Sequence, residues 1–372
     1  MRILFVTSGL ARGGAEGFLV RLATRLAARG HVCGVASFGS QAPLFPALVA
    51  AGVEVVELGG GAILPFVSLT AFARRFRPDV VSGWMYRGNL AALGAAFCFR
   101  PKPAVVWSVR QGLNDLRVSP WPTRFAVATS ARLSRRPFAI VYNAESAKRQ
   151  HIDAGFVADR SRVIVNGVDA AGCAQSDAER SSARARLGLT EADFVVTLLA
   201  RWHPVKNHHG FTRAAGLFAR KRPRARFLLA GRGVDPENAT LASWLREEQI
   251  ADVTSLLGER ADVQELLSAT DVATLASIGE ALPNTLLEAM AWGVPCVAPD
   301  VGDIAALIDT TGVVVAEGDA GALAAGWERL AAMTGPDRRT LGERARARVA
   351  ERYGLDRAVT AFEALFADAA GR

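Results

Sequence analysis

At 372 residues the chain has room for two domains of ordinary size, each with its own core. Half of its residues are apolar, yet every run long enough to span a bilayer is broken by a charge, a proline or a glycine cluster, which excludes a membrane-spanning helix. The formal charge of +8 is uneven: residues 1–169 hold 21 Lys/Arg against 9 Asp/Glu, and residues 170–372 hold 23 against 27.

A basic first half beside an acidic second half fits an N-terminal domain that meets an anionic surface or substrate. It equally fits arginine used freely on solvated faces. No recognition-helix pattern or aromatic-and-basic RNA motif accompanies the charge, so no nucleic-acid partner is expected. The cysteines, Cys33, Cys98, Cys173 and Cys296, form no C-x-x-C pair, which argues against a zinc site or a disulfide framework and suits a reducing cytoplasm.

In chain order, short β-rich runs alternate with amphipathic helical runs, the pattern of an α/β fold with helices on both faces of a parallel sheet. Arg2–Thr7 reads as a first strand and not as a secretory signal, because its apolar run ends at Gly9. The helix Ala15–Ala28 follows, with Phe18, Leu19, Leu22 and Leu26 on one face and Gly30 as its stop. Further strands are expected at Val32–Ser37, Val53–Leu58, Asp79–Ser82, Ala104–Val109, Phe138–Tyr142 and Arg162–Val165. The polar stretch Ala170–Arg186 reads as a domain boundary. Strands then resume at Phe194–Ala200, Arg226–Ala230, Val253–Leu257, Asp271–Leu275, Val294–Ala298 and Val313–Val315. From Asp356 to Ala369, Val359, Phe362, Leu365 and Phe366 recur at helical spacing, so this tail needs an apolar partner.

The chemistry concentrates in the second half. Between Gly279 and Glu288, two glutamates, Glu280 and Glu288, straddle a helix start, with Asn284 as N-cap and Gly293 and Pro295 closing the helix. Glu280 falls in the loop after a strand, where open α/β sheets place ligands, and Glu288 one turn into the helix. The amides near Asn284, Thr285 and Leu286 make an electropositive end suited to phosphate. The alternative is a solvated loop carboxylate and a surface helix residue. After the strand Phe194–Ala200 come Arg201 and Lys206, a planar fork and a mobile point charge able to neutralise a diphosphate, or else two solvated cations. A third candidate is the glycine-rich turn from Gly9 to Glu16, which permits close backbone approach. Neither it nor Gly231-Arg232-Gly233 has dinucleotide G-x-G-x-x-G spacing. His203, His208 and His209 lack a nearby carboxylate, and no metal site is expected. Trp84, Met85 and Tyr86 are placed either to stack on a sugar or, more simply, in the core.

Together, Gly13-Gly14-Ala15-Glu16, Arg77-Pro78-Asp79-Val80-Val81, Asn166-Gly167-Val168-Asp169, Arg201 with Lys206, Leu257-Gly258-Glu259 and the Glu280/Glu288 pair within ALPNTLLEAMAWGVPCVAPDVGD resemble family 4 of the retaining glycosyltransferases. The resemblance implies the GT-B architecture, two Rossmann-like domains facing each other across a cleft. It divides the chain into an acceptor-side domain over residues 1–169, joined by a returning helix at 356–370, and a donor-binding domain over residues 187–352. It implies a hexosyltransferase that needs no metal or cofactor. The donor would be a nucleotide diphosphate sugar, with a UDP-sugar favoured over a GDP-sugar. The acceptor would be a glycan or polyprenyl-linked, in cell-surface polysaccharide or glycolipid synthesis. By resemblance Arg201 and Lys206 hold the diphosphate, Glu288 the ribose hydroxyls and Glu280 the transferred sugar, while Gly14 lines the cleft. Where many members carry a His, this chain has Arg110, either an arginine in a surface loop or a catalytic group at the sugar or acceptor. The family's frequent Glu-Gly is Glu280-Ala281 here. A cytoplasmic location is implied, with peripheral contact to the anionic inner face of the membrane through the basic first half. The alternatives are a GT-B nucleotide-sugar epimerase and a catalytically silent binding subunit.

Overall fold

Thirteen strands, every observed pairing among them parallel, build two separate sheets in a computed structural model of the chain that describes residues 1–11, 13–39, 43–59, 64–113, 120–170, 173 and 176–371. The first sheet holds β1 (Arg2–Thr7), β2 (Val32–Ser37), β3 (Glu54–Glu57), β4 (Val80–Trp84), β5 (Ala104–Val109), β6 (Ala139–Tyr142) and β7 (Ser161–Val163), in the order β3-β2-β1-β4-β5-β6-β7. The second holds β8 (Phe194–Leu199), β9 (Ala225–Ala230), β10 (Thr254–Leu256), β11 (Val272–Thr274), β12 (Cys296–Pro299) and β13 (Val313–Val315), in the order β10-β9-β8-β11-β12-β13. Each sheet therefore reverses its order once, between β1 and β4 and between β8 and β11. Central strands such as β1 and β8 are buried along nearly their whole length, as expected where helices cover both faces.

The chain divides into two units, Met1–Gly167 with Leu355–Arg372, and Val168–Gly354. The sequence boundary at Ala170–Arg186 is thus corrected. Asp177–Arg186 is a helix of the second unit, started by a capping box in which Ser176 Oγ accepts from the Glu179 amide and Glu179 reaches back to the Ser176 amide. Of the same stretch, residues 171, 172, 174 and 175 lie outside the described residues.

In the first unit, the helix Gly14–Ala28 buries Phe18, Leu19 and Leu22, and Gly30 follows it with a positive φ of 87°. The final helix, Leu355–Ala370, supplies the apolar face that lacked a partner in the sequence. Phe362 lies 6.2 Å from Phe18 and 6.3 Å from Trp84 between ring centroids, and Phe366 lies 6.0 Å from Phe5. At the rim, Glu363 accepts from Arg29 Nη1 (2.8 Å) and stands 2.7 Å from His31 Nε2; the His31 contact, then Arg29, hold its carboxyl below the usual range. A Cβ on Gly167 would come within 2.5 Å of the Leu355 Cα, so this glycine lets the chain pass against the start of the final helix.

In the second unit, Trp327 sits among Phe211, Phe218 and Phe227, and its indole donates to Thr274 Oγ1 (3.2 Å).

Because Phe362 is fully buried among three aromatic rings, Phe362→Ala is expected to destabilise the first unit by about 3–5 kcal/mol. Urea denaturation followed by hydrogen exchange of the β1 and β4 amides measures it. A change below about 1 kcal/mol would mean that the final helix does not anchor this core.

Candidate active site

The reversal between β8 and β11 parts the loops that follow these two neighbouring strands, and ligands bind at such switch points in open α/β sheets. Arg201, Lys206 and Glu280 lie on these loops. The Ile278 amide donates to the Val205 carbonyl (2.9 Å) and ties one loop to the other.

Lys206 owes its place to a tight reversal. The Val205 amide donates to His203 Nδ1 (3.3 Å), Pro204–Lys206 form one 3-10 turn, and Asn207 takes the left-handed conformation (φ 50°, ψ 50°). Asn tolerates that region better than most residues. Its side chain then caps the helix His208–Ala219 by accepting from the Gly210 amide (3.0 Å).

Lys206 Nζ forms a close ion pair with Glu280 Oε1, and Ser277 Oγ donates to the same oxygen (2.7 Å). The pair is largely withdrawn from water, with side-chain exposures of 20% for Lys206 and 11% for Glu280. Among the described residues no hydrogen bond engages Glu280 Oε2, which leaves an acceptor for a ligand hydroxyl. Arg201 is exposed, and its guanidinium makes no ion pair or hydrogen bond among the described residues.

Two glycines hold this arrangement. A Cβ on Gly231 would fall 2.2 Å from the Ala200 carbonyl oxygen, so only glycine lets the loop after β9 close on Arg201, where the Trp202 amide donates to the Arg232 carbonyl (2.8 Å). A Cβ on Gly302, at φ 63°, would fall 2.4 Å from the Glu280 carbonyl oxygen, and the adjacent Asp303 amide donates to the Ala281 carbonyl (3.0 Å). Ser277, Gly231 and Gly302 were missed in the sequence. Gly231 and Gly302 leave a faint signal there, each standing just past a strand end.

The helix beyond Glu280 spans Asn284–Ala291. Its N-cap is Pro283, not Asn284 as the sequence suggested, because Pro283 has the extended conformation and Asn284 is already helical. Proline offers no side-chain acceptor, so the cap residue itself makes no side-chain hydrogen bond to the first turn. The Leu286 side chain is buried, which limits Leu286 to its backbone. Asn284, Thr285 and Glu288 are half-buried. Trp292 and then Gly293, at φ 73°, end the helix.

Gly14 opens the helix Gly14–Ala28 in the first unit, exposed and next to the N-cap Gly13. The three histidines have separate places: His203 accepts from Val205, His208 is buried and His209 packs against Trp244. Among the described residues no group of His, Cys, Asp and Glu is arranged to hold a metal ion. Trp84 is wholly buried and Tyr86 hydrogen-bonds to His151 (2.7 Å), so both belong to the core and not to a sugar platform.

Arg110 is a correction. It is not a surface-loop arginine, being only 6% exposed. Its guanidinium donates to Ser108 Oγ (2.8 Å), the Ile164 carbonyl (2.8 Å) and Asn166 Oδ1 (3.3 Å), and it stands 4.8–5.2 Å from the ring centroids of Trp84, Phe362 and Phe18. Burial lowers its pKa to about 9, which still leaves it charged at neutral pH. Its role is to clamp the segment after β7 to the core.

Residues 12–171 match the model of glycosyltransferase family 4, and residues 193–333 match that of the glycosyl transferases of group 1. The chain belongs to glycosyltransferase family 4. Among relatives of this family-4 chain, the N-acetyl-alpha-D-glucosaminyl L-malate synthase of Bacillus anthracis is 30% identical over 184 residues, 49% of this chain and 47% of the relative. The UDP-Gal:alpha-D-GlcNAc-diphosphoundecaprenol alpha-1,3-galactosyltransferase of Escherichia coli is 31% identical over 141 residues, 37% of this chain and 36% of the relative. The chain thus spans less than half the length of these curated relatives. Anabaena Alr3699/HepE, crystallised with UDP-glucose, has a TM-score of 0.87 at 21% identity, covering 98% of this chain and 99% of its own. Sucrose-phosphate synthase from Thermosynechococcus elongatus has a TM-score of 0.82 at 18% identity, covering 99% of both chains. These likenesses show that the family-4 chain shares the GT-B fold.

Arg110→Ala is expected to destabilise the first unit by about 3 kcal/mol or more, because it strands the Ile164 and Asn166 acceptors and opens the aromatic cage. Urea denaturation decides it. Unchanged unfolding with turnover alone lost would return Arg110 to the catalytic set.

Proposed function

We propose that the chain transfers a hexose or related sugar from a nucleotide diphosphate donor to a glycan or polyprenyl-linked acceptor, with retention at the anomeric carbon and without a metal or cofactor. The observation that carries this reading is the Lys206–Glu280–Ser277 cluster at the sheet's switch point, beside an Arg201 that has no ion pair or hydrogen bond among the described residues.

In this reading Arg201 and Lys206 take the diphosphate, joined by the first-turn amides of Asn284, Thr285 and Leu286. Glu288 takes the ribose hydroxyls, and Glu280 accepts from hydroxyls of the sugar through Oε2. A UDP-sugar is the donor favoured here, supported by the UDP-glucose bound to the Anabaena protein and by the UDP-Gal in the Escherichia coli relative's name.

The bond from the anomeric carbon to the phosphate oxygen breaks as the acceptor oxygen bonds to the same face of that carbon. The acceptor proton passes to the departing phosphate oxygen. Arg201 and Lys206 stabilise the charge that grows on the diphosphate, and preorganised donors of this kind contribute about 3–4 kcal/mol each. Replacement of the Lys206 cation, Lys206→Ala, and of the Glu280 charge, Glu280→Gln, should each lower kcat by at least about a hundredfold while far-UV circular dichroism stays unchanged. Wild-type transfer should persist in EDTA. Folded variants with near-wild-type turnover would refute the site, and activity lost in EDTA and restored only by a divalent ion would refute the metal-free reading.

We also propose that the first unit engages the acceptor at an anionic membrane surface on the cytoplasmic side. No helix among the described residues is long and apolar enough to cross a membrane, so contact would be peripheral. On the helix Trp121–Leu133, Trp121 and Phe125 are 75% and 65% exposed, and Arg124, Arg132, Arg135 and Arg136 are exposed on or just past it. Exposed aromatics beside cations suit an interface, where each cation near an anionic surface contributes about 1 kcal/mol. Lys148 from the same basic stretch is pulled aside by Glu145 (3.4 Å), while Arg149 stays exposed. Co-sedimentation should recover the protein with anionic vesicles at low salt and lose it at high salt. Equal recovery in the supernatant with anionic and neutral vesicles would favour an acceptor free in solution.

A further inference from the structure

The loops that carry Lys206 and Glu280 follow strands β8 and β11. At the opposite edge of the same sheet, Thr270 and Asp271 lead into β11 and Val294 and Pro295 lead into β12. An open cavity of about 120 Å³ lies there, lined by Arg180, Arg338, Arg339, Asp271, Asp177 and Ser176 among others.

The charges around it do not balance. Asp271 is nearly buried, and its carboxylate receives three guanidiniums: Arg180 Nη2 (2.8 Å) and Arg338 Nη2 (3.4 Å) on Oδ1, and Arg184 Nη1 (3.3 Å) on Oδ2. The Val195 amide takes Oδ2 as well (2.9 Å), so the acid has no lone pair to spare. Other guanidinium donors are met by neutral carbonyls. Arg180 donates to Thr270 (3.1 Å), Arg338 to Leu330 (3.1 Å) and Met333 (3.2 Å), and Arg184 to Thr190 (3.0 Å) and Ala269 (3.1 Å). Carbonyls satisfy hydrogen bonds without cancelling charge. They also hold the guanidiniums rigid, which preorganises them for an anion. Burial chiefly, opposed by Asp271 and reinforced by the Arg184 charge, keeps the Arg180 pKa below the usual arginine value.

A fourth cation, Arg339, lines the same cavity and has no ion pair or hydrogen bond among the described residues. Among the lining residues three arginines, Arg180, Arg338 and Arg339, stand against Asp271 and the exposed Asp177. Two helices, Asp177–Arg186 and Gly335–Tyr353, also begin at this rim, each with a carboxylate, Glu179 or Asp337, already in its first turn.

We propose that this cavity is a second anion site, separate from the Lys206/Glu280 site, that takes a phosphate group, free or carried on a small molecule. It does not rest on the transfer reaction proposed above. Arg338 and Arg339 face the ligand from one helix and Arg180 from another, a geometry that favours a multivalent oxyanion over chloride.

Calorimetric titration with inorganic phosphate, with pyrophosphate, and with either anion in the presence of saturating UDP tests it, at fixed ionic strength set with chloride. With UDP saturating the Lys206/Glu280 site, the wild type should still bind inorganic phosphate. Arg339→Glu, at an exposed and unpaired position, should fold normally and weaken binding by about tenfold or more, the effect of one lost charge-assisted contact. Tighter binding of pyrophosphate would point to a carried polyphosphate and equal binding to free phosphate, and either outcome supports the site. No phosphate binding in the wild type at saturating UDP, or equal affinity in Arg339→Glu under that condition, would overturn it.

Discussion

Parallel strands put all their C-terminal ends along one edge of a sheet, and the loops leaving that edge normally crowd against each other. Where the strand order reverses, successive connections depart to opposite faces and the edge stays open. In the second unit that opening falls between β8 and β11, and everything of chemical interest there follows from it. Arg201 and Lys206 leave one strand, Glu280 leaves the other, and the Ile278–Val205 hydrogen bond fixes the distance across. The Lys206–Glu280 pair then does two things at once. It neutralises a carboxylate that is mostly out of water, and it holds the Lys206 cation in place at that opening.

The first unit meets a different constraint. The final helix returns to it from Leu355 onward, and the contact must be specific enough to hold that helix in one register. Aromatic packing of Phe362 and Phe366 supplies the area. The buried Arg110 adds direction, since its planar fork meets Ser108, Ile164 and Asn166 while its faces meet Phe18, Trp84 and Phe362. A buried cation of this kind fixes geometry at some cost in desolvation.

Much of this was legible in the sequence. The β1, β2 and β5 bounds agree to the residue, because a parallel strand covered on both faces reads as an unbroken apolar run. The helix after Glu280 and its Gly293 stop were also legible from local turn chemistry. What failed was long-range. Arg110 gave no local sign of its burial, since its cage is drawn from residues near 18, 84 and 362. Gly231 and Gly302 matter only because another backbone passes within a van der Waals radius of them. The capping box Ser176/Glu179 was present in the sequence, yet the polar helix behind it has only two buried residues and no apolar stripe to announce it.

The central claim is that the switch point of the second sheet is where a nucleotide diphosphate binds. Hydrogen–deuterium exchange with and without UDP tests it most directly. The account predicts slowed exchange in segments 201–207 and 277–288, with β4 and β5 of the first unit unchanged. No protection in those two segments at saturating UDP, or protection confined to the first unit, would contradict it.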